Sequence, residues 1–398
     1  MSRKLIICFD GTGNEVEKNE SNILRLYKCL KHDDGQLVYY EPGVGTLSTR
    51  PFARNAFSKV RLVLGLAAGL GLHQNVMHAY QFLCENYREG DRLYFFGYSR
   101  GAYTARVLAG FVNDFGLVAP HELHLIGPVF KAWRKIPKNA PREAYAPLRI
   151  SEQFFHIRRP SIRFLGLWDT VSSMIRLRLK WGTILEFGSN SSVDENPSVK
   201  AVRHALSIDE TRRFFRHQFW TEGQDYHGTR FKSKQNPPKQ DVKQVWFPGT
   251  HTDVAGSVPE QEAGLSKLTL VWMRSELDGL GVDKLEFRKQ FFDRYVLGKK
   301  DRVTERMGLE ISEPDPLAPL HSQMKLRKFW PFLEIFPRLT KRSRWPNQRG
   351  FLGYYLPLAQ PRYIPPDSTI DPSAFERRKE RADYRPKNLE THTKDAPS

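Results

Sequence analysis

Apolar runs that have the composition of buried strands recur along this chain and alternate with segments of helical spacing. The runs are near-continuous rather than alternating between apolar and polar residues, which is typical of strands covered on both faces in a parallel sheet. This pattern predicts an α/β fold, with a mostly parallel sheet and helices on both of its faces. The predicted strands are Lys4–Phe9, Gln36–Tyr40, Arg92–Phe96, Ile162–Trp168 and Val242–Phe247, and the predicted helices are Ser21–His32, Leu72–Tyr87, Tyr103–Phe115, Pro197–Phe215 and Leu265–Leu280.

Composition is compatible with a globular chain and argues against several other classes. Of the 398 residues, 40 % are hydrophobic and 27 % are charged, and the chain is too rich in aromatic residues, at 12 %, for wholesale disorder. The 3 cysteines are too few for a disulfide framework. The longest apolar run, Leu62–Leu72, is far shorter than the roughly 20 residues that span a bilayer, and the N-terminus lacks a signal-peptide core. We therefore expect a cytoplasmic protein, and any export would use a secretion system that needs no signal peptide.

Changes in composition divide the chain into regions. Residues 1–310 carry the α/β pattern and are predicted to form the catalytic domain. Within them, residues 118–160 are rich in Pro, His and Arg and are predicted to be a basic insertion or lid over the sheet. Scattered prolines in residues 311–375 predict an extension packed on the domain. The highly charged residues 376–398 are predicted to be a disordered tail.

The most specific chemical motif is GYSRG at residues 97–101. It directly follows one predicted strand and opens a predicted helix, which is the context of a nucleophile elbow. A strand that reverses into a helix within a few residues forces the serine, Ser99, into a strained conformation, and Gly97 and Gly101 leave room for neighbouring backbone. The Ser99 hydroxyl would lie at the positive end of the helix, where an oxyanion is stabilised. The alternative is a Gly/Ser turn without catalytic function.

A nucleophilic serine needs a base, and the base needs an acid that orients it. Asp169 and His251 each follow the carboxyl end of a predicted strand, as Ser99 does. Open α/β sheets place their sites at those ends, and the order Ser, Asp, His along the chain is that of α/β hydrolases. The sequence therefore predicts a catalytic triad of Ser99, Asp169 and His251. The alternatives are a cap or turn position for Asp169 and a solvated loop position for His251.

A glycine-rich turn, DGTGN at residues 10–14, ends the first predicted strand. Such a turn can direct backbone N–H groups toward an anion. We expect Gly11 or Thr12 to donate one N–H group to an oxyanion, and Arg100, the residue after the serine, to donate the other. Asp10 has either a catalytic role or the role of anchoring this loop through bonds to the backbone.

This chemistry requires no cofactor. Asp253 lies two residues after His251 and is a weak candidate metal ligand, but no third ligand is evident, so loop stabilisation is the better interpretation. The segment DETRR at residues 209–213 is predicted to lie on a helix and to form structural ion pairs.

At these residues the sequence resembles the α/β-hydrolase-like proteins typified by type VI secretion lipase effectors with phospholipase activity. The resemblance implies a serine hydrolase with a Ser-Asp-His triad, carried here by Ser99, Asp169 and His251. The family usually has a run of glycines after the histidine block, where this chain has Ala-Gly-Ser at residues 255–257. The blocks that carry the resemblance are Phe9–Asn14, Gly90–Phe111, Phe164–Ser173, His204–Phe215 and Trp246–Val258.

A formal net charge of +18 favours a polyanionic partner without choosing its kind. The basic and aromatic stretch Lys325–Arg349 suits peripheral contact with an anionic membrane. Together with Trp133–Arg159, it is predicted to form a lid and membrane-facing surface. The alternative is a solvated basic surface over a satellite hydrophobic core. The sequence carries no nucleic-acid-binding signature and gives no indication of oligomeric state.

These observations predict a serine hydrolase that cleaves carboxylic esters, with a phospholipid or another acyl ester as substrate. A housekeeping enzyme of the same fold fits the sequence as well as a delivered effector does. A catalytically silent interaction protein that keeps the α/β-hydrolase fold stays open as an alternative. A nucleic-acid-binding protein has less support, because only the net charge suggests it.

Overall fold

A parallel β-sheet organises the chain in the computed structural model. The structure describes residues 2–11, 19–43, 71–137, 140–171, 175–176, 186–187, 193–212, 215–231, 235–322, 334–335, 337–340, 343–346 and 348–395. The strands are β1 (Lys4–Phe9), β2 (Gln36–Glu41), β3 (Arg92–Tyr98), β4 (Ile162–Trp168), β5 (Ile175–Arg176), β6 (Glu186–Phe187), β7 (Val199–Ser207), β8 (Asp241–Phe247), β9 (Arg338–Leu339), β10 (Tyr354–Tyr355) and β11 (Thr369–Ile370).

The main sheet has 7 strands in the order β11-β8-β7-β4-β3-β1-β2, and every pair in it is parallel. β5–β6 and β9–β10 form separate antiparallel pairs. From β1 the chain moves to β2 on one side, whereas β3, β4, β7 and β8 follow on the other side. The strand order therefore reverses between β1 and β3, and open α/β sheets bind ligands at the carboxyl ends of the strands at such a point.

Helices cover both faces of the sheet, as the sequence predicts. The side chains of β1 show why, because Leu5, Ile7 and Phe9 pack with α2 and α3 while Ile6 and Cys8 pack with α1 and α7 on the other face. Within the described ranges, no helix combines the length and the apolar character needed to cross a membrane. The helices are α1 (Asn22–Cys29), α2 (Leu72–Asn86), α3 (Arg100–Asp114), α4 (Ile126–Trp133), α5 (Ala146–Glu152), α6 (His251–Ala255), α7 (Gly264–Asp278), α8 (Lys289–Tyr295), α9 (Arg302–Met307) and α10 (Pro372–Glu380).

The predicted helix Pro197–Phe215 is wrong. Residues 199–207 form β7, a central strand between β4 and β8, and residues 208–212 are irregular. Nearly all of β7 is buried, so it shows no alternation of apolar and polar residues, and its alanines, arginine and leucine are good helix formers. Tertiary packing between neighbouring strands decides the structure here.

The C-terminal region also differs from expectation. Residues 376–395, predicted to be disordered, are folded in this structure, because they begin inside α10 and continue to a 3₁₀ helix at Lys387–Asp395. Leu389 is buried in a small core with Trp246 of β8 and Ile364. The high charge is compatible with folding because buried arginines donate to carbonyls, as Arg377 does to Pro316 and Ala318.

The segment 118–160, predicted to be an insertion or lid, contains α4 and α5 and lies in the chain between α3 and β4. Its aromatic side chains pack on α3, since Phe130 and Trp133 both contact the ring of Phe111. Arg158 donates hydrogen bonds to the carbonyls of Cys84 and Tyr87 at the end of α2. Coverage of the triad by this segment stays a prediction.

Candidate active site

Ser99 lies between the last residue of β3 and the first residue of α3. Its backbone has φ 57° and ψ −117°, a conformation that costs a non-glycine residue free energy and that marks functional turns. A Cβ atom on Gly101 would lie 2.3 Å from the carbonyl oxygen of Phe9, and one on Gly97 would lie 2.5 Å from Ala102. Both positions therefore require glycine, because the end of β1 and the start of α3 pack directly against the turn.

Asp169 follows β4 and is fully buried. Its backbone N–H donates to the carbonyl of Ala205 in β7, while the N–H of Ser99 donates to the carbonyl of Trp168. These bonds hold the carboxyl ends of β3, β4 and β7 side by side. The Asp169 carboxylate also accepts a hydrogen bond from the N–H of Ser207, at 3.2 Å.

His251 is the first residue of the short helix α6, which follows β8. Gly249, with φ 119°, turns the chain out of the strand, and a Cβ atom there would lie 2.6 Å from the side chain of Asp253. The Asp253 carboxylate accepts hydrogen bonds from both the N–H and the hydroxyl of Thr250, each at 2.8 Å. This bonding orders the turn that presents the imidazole.

Of the three predicted triad side chains, that of His251 lies within hydrogen-bonding distance of both others. The Nε2 atom of His251 lies 2.8 Å from Oγ of Ser99, and its Nδ1 atom lies 2.5 Å from Oδ2 of Asp169. The imidazole is held between aromatic rings, with its centroid 5.0 Å from Tyr98 and 4.9 Å from Phe215. A proton on Nδ1 would be held by the carboxylate, which leaves Nε2 as an acceptor for the serine hydroxyl.

The electrostatic environment favours a neutral imidazole beside an ionised carboxylate. Burial lowers the pKa of His251, although the hydrogen bond to Asp169 opposes this effect. Burial alone would raise the pKa of Asp169, but the guanidinium of Arg362 and the bond to His251 outweigh it and hold that pKa well below its ordinary value. An imidazole that is neutral near pH 7 can accept a proton.

Arg362 is a residue that the sequence analysis missed. It is fully buried and forms a bidentate ion pair with the Asp169 carboxylate, with Nη1 2.5 Å from Oδ1 and Nη2 2.9 Å from Oδ2. The local sequence around it, QPRYIPP, carries no motif. The one signal that could have indicated Arg362 is that it is a cation with no charged neighbour between residues 350 and 366.

Two of the predicted oxyanion donors, Gly11 and Arg100, lie at or near the same edge of the sheet. Arg100 opens α3, so its N–H belongs to the first turn, whose donors have no partner within the helix. The N–H of Gly11 donates to Oδ1 of its neighbour Asp10 at 2.6 Å. Thr12 lies outside the described residues. The donation of these groups to an oxyanion stays a prediction.

Asp10 is buried beside the elbow, and its hydrogen bonds match the anchoring alternative. Besides Gly11, its carboxylate accepts from the hydroxyls of Ser21 and Tyr40, both at 2.7 Å. Ser21 is the N-cap of α1, so Asp10 ties the β1 loop to that helix and to β2. A catalytic role for Asp10 remains an untested prediction.

The weak metal candidate, Asp253, is bonded to Thr250 and to His321, whose Nδ1 atom lies 2.6 Å from its Oδ1. In the part of the chain that the structure describes, one group has three potential metal ligands close together, namely His121, Glu122 and His156. It lies in the segment 118–160, away from the triad in the sequence. The proposed chemistry of Ser99 does not involve it.

The predicted ion pairs of residues 209–213 are present in part. Arg212 contacts Glu210, with Nη2 2.6 Å from Oε2, in an irregular segment rather than on a helix. Glu210 also accepts a hydrogen bond from the N–H of His251 at 3.3 Å, so this pair borders the candidate site. Arg213 lies outside the described residues, as do the apolar run 62–70 and most of Lys325–Arg349.

One strand of the parallel sheet leads through a strained serine turn into a helix, and a histidine–aspartate pair lies at the same edge of the sheet. This is an α/β-hydrolase-like architecture. A family model described as "T6SS, Phospholipase effector Tle1-like, catalytic domain" matches residues 3–276. The chain belongs to this family.

Similar proteins include the uncharacterized protein YEL023C of Saccharomyces cerevisiae, which is 30 % identical over 234 residues. That alignment covers 55 % of this chain and 33 % of the yeast protein. A crystal structure of an uncharacterized protein from Pseudomonas aeruginosa is similar with 19 % identity and a TM-score of 0.37, over 72 % of this chain and 47 % of that one. The structure of the Tle1 effector bound to the VgrG spike of the type 6 secretion system has 18 % identity and a TM-score of 0.32, over 65 % of this chain and 52 % of that one. The chain thus spans a third to about half of the length of these relatives.

Proposed function

We propose that this protein is a serine hydrolase that cleaves carboxylic esters, and that its substrates are phospholipids. The observation that carries the proposal is the continuous hydrogen-bonded chain from Ser99 Oγ through His251 to Asp169. Membership of a phospholipase-like catalytic family supports the same activity.

In the proposed reaction, Nε2 of His251 takes the proton from the Ser99 hydroxyl as Oγ attacks the acyl carbonyl carbon. The positive charge that forms on the imidazole is stabilised by Asp169, which also holds the ring in the required tautomer. The carbonyl electron pair moves to oxygen, and the oxyanion accepts hydrogen bonds from the N–H of Arg100 and from Gly11 or Thr12.

The tetrahedral intermediate then collapses, and the bond to the leaving alcohol breaks. His251 gives its proton to the departing oxygen, which leaves an acyl group on Ser99. Water enters, gives a proton to His251 and attacks the acyl carbonyl carbon. When the second tetrahedral intermediate collapses, the proton returns to Ser99 and the carboxylic acid is released.

Exposed apolar side chains in the segment of the chain that leads to Arg362 support a lipid substrate. Phe351 and Leu352 are 80 % and 81 % exposed at the turn that precedes β10, and Leu358 is 63 % exposed. The chain continues from them to Arg362, and thus to the triad edge of the sheet. Exposed apolar residues beside a basic stretch are suited to the boundary between lipid headgroups and acyl chains.

The decisive experiment compares the wild-type protein with Ser99→Ala on a panel of phospholipids and soluble acyl esters. We expect Ser99→Ala to lose activity by a factor on the order of 10⁴ to 10⁶ while its melting temperature is retained. Ser275→Ala, which removes an exposed hydroxyl that bonds to the carbonyl of Trp272 in its own helix, is the matched control and should hydrolyse normally. Retained hydrolysis by Ser99→Ala would place the nucleophile elsewhere.

A fluorophosphonate probe separates this proposal from a catalytically silent interaction protein. The probe should label the wild type and Ser275→Ala, and it should not label Ser99→Ala. A wild type that is folded but resists labelling would support the silent alternative.

Lipid contact is tested by sedimentation with liposomes of anionic or neutral composition at several salt concentrations. We expect binding to anionic vesicles to weaken with salt, and to weaken further in Phe351→Ser. Val282→Ser is the control, because Val282 is 87 % exposed and its carbonyl bonds to Arg92 at the amino end of β3, whereas the triad lies at the carboxyl ends of the strands. Equal binding to neutral and anionic vesicles at every salt concentration would contradict an electrostatic membrane contact.

A further inference from the structure

Arg362 and Asp169 form an ion pair from which water is excluded, since both side chains are 0 % exposed. The geometry is the fork-to-fork arrangement, in which two parallel N–H groups bond to two carboxylate oxygens. Because Oδ2 also bonds to His251, the arginine and the imidazole share one carboxylate. Arg362 therefore sets both the orientation and the charge of the Asp169 carboxylate, to which His251 bonds.

Arg362 is itself held rigidly. Its guanidinium donates to the carbonyls of Ser207 and Phe215, so its remaining N–H groups have partners. The preceding residue, Pro361, accepts a hydrogen bond from the indole of Trp345 at 2.8 Å. Two residues later Ile364 enters the core beside β8, and β11 then joins the sheet. The chain around Arg362 is therefore anchored on both sides.

We propose that Arg362 is a positioning residue of the triad, which keeps the Asp169 carboxylate ionised and turned toward His251 and limits how tightly the pair binds a proton. The proposal rests on the function proposed above. It also makes residues beyond the 3–276 match part of the catalytic unit.

The physical argument is one of charge. A buried carboxylate without a cation would either take up a proton itself or hold a proton on His251 more strongly. With Arg362 in place the carboxylate is already neutralised, so the imidazole stays neutral to lower pH. The sign follows directly, since removal of the cation must raise the proton affinity of the Asp169–His251 pair.

The other charged and titratable groups that surround the pair are unchanged by substitution of Arg362. Arg212 and Glu210 face His251 from the segment after β7, and Tyr98 faces it from β3. His204 of β7 bonds to the N–H of Thr170, and Asp10 lies beside the elbow. Their contribution is common to the wild type and the variants, so a difference in pH profile reports the charge of Arg362.

The experiment measures kcat/KM against pH, with a soluble acyl ester, for the wild type, Arg362→Gln and Arg362→Lys. For Arg362→Gln we expect the acid limb to move to higher pH by about one unit, and kcat to fall roughly 10- to 100-fold. Arg362→Lys keeps the charge but not the fork, so its acid limb should stay near that of the wild type while kcat falls about tenfold.

The matched control is Arg377→Gln, which removes another buried arginine of the C-terminal region that bonds to backbone carbonyls. Its acid limb should coincide with that of the wild type even if its melting temperature falls. The proposal is overturned if Arg362→Gln behaves as Arg377→Gln does, with lower stability and an unmoved acid limb. If Arg362→Gln does not fold, wild-type kcat in Arg362→Lys overturns it instead.

A measurement without substrate separates this proposal from the function itself. The Nδ1 proton of His251, which bonds to Asp169, can be followed by NMR as pH is changed in the wild type and in Arg362→Gln. A higher titration midpoint in the variant supports the positioning role even if no ester is hydrolysed. An unchanged midpoint contradicts it, whatever the activity.

Discussion

Two histidines at the short helix α6, each bonded to a buried aspartate, have opposite pKa shifts: His251 is the first residue of this helix, and His321 bonds to Asp253 within it. Burial lowers the pKa of His251, which bonds to Asp169. The hydrogen bond to Asp253 raises the pKa of His321 to about 9, and a second carboxylate, Glu262, adds to the effect.

The difference lies in what else surrounds each pair. The carboxylate next to His251 is already neutralised by Arg362, and the His251 side chain is only 3 % exposed, so a positive charge on His251 is stabilised less than one on His321. His321 lies between two carboxylates, and its side chain keeps 14 % exposure. A carboxylate beside a histidine therefore does not by itself determine the charge of the ring. The first pair is suited to accept a proton, and the second to brace α6 through an imidazole that is a cation near pH 7.

The largest expected difference between the two histidines is in activity. His251→Ala should lower kcat/KM by a factor on the order of 10⁴ to 10⁶, because the base is lost. His321→Ala should lower it less than tenfold, because the ring of His321 bonds to the carboxylates of Asp253 and Glu262 rather than to a triad residue. Steady-state kinetics on a soluble ester decide this, and similar losses in both variants would remove the distinction.

Asp169 and Asp253, the partners of the two histidines, should also differ in their effect on catalysis. Asp169→Asn is expected to lower kcat by about 10⁴-fold, because an amide favours the wrong tautomer of His251. Asp253→Asn should instead lower stability by roughly 1 to 2 kcal/mol, through weaker bonds to Thr250. Kinetics and thermal unfolding should be measured on both proteins, and a catalytic loss in Asp253→Asn as large as that in Asp169→Asn would contradict the comparison.

The pH dependence of stability should have opposite signs for the two histidines. His321 has a pKa of about 9 in the folded state, against about 6.5 when unfolded. Folding thus favours its cation, and this contribution is complete below about pH 6.5 and is lost as pH rises through about 9. For His251 the folded pKa is depressed, so the folded state loses stability as pH falls below about 6.5.

Urea unfolding of the wild type and His321→Gln at pH 6, 8 and 10 measures this contribution. The difference in the free energy of unfolding should be largest at pH 6 and should shrink by pH 10. A difference that is constant over this range would mean that His321 is not held as a cation.

The smallest expected effect is that of Glu262→Gln. Glu262 is 44 % exposed, and solvent-exposed ion pairs contribute about 1 kcal/mol or less. Urea unfolding at pH 7 should show a loss within that range and no change in kcat. A loss as large as that of Asp253→Asn would mean that both carboxylates brace α6 equally.

Much of the fold follows from the sequence, because strands buried on both faces leave near-continuous apolar runs. The runs 4–9 and 162–168 coincide with β1 and β4. β7 was missed because its composition favours a helix, and only its neighbours β4 and β8 impose an extended chain. β11 was missed because its pairing spans only Thr369 and Ile370.

The triad part of the candidate site is predictable from the sequence because it depends on the same strands. Ser99, Asp169 and His251 each follow a strand, and parallel strands bring their carboxyl ends to one edge. Arg362 follows no strand and belongs to no motif, and its position depends on packing between distant segments. His321 was missed for the same reason, since its partner Asp253 is 68 residues away along the chain.

The ion pair of Arg362 and Asp169 joins residues that are 193 positions apart. Contacts between residues so far apart along the chain form slowly, because the chain between them must first be ordered. During synthesis, residues 1–251 can leave the ribosome and begin to fold while Arg362 has not yet been made. The elbow and its histidine would then come together before their acid is neutralised, so full hydrolytic competence would arrive as one of the last events in the maturation of the chain.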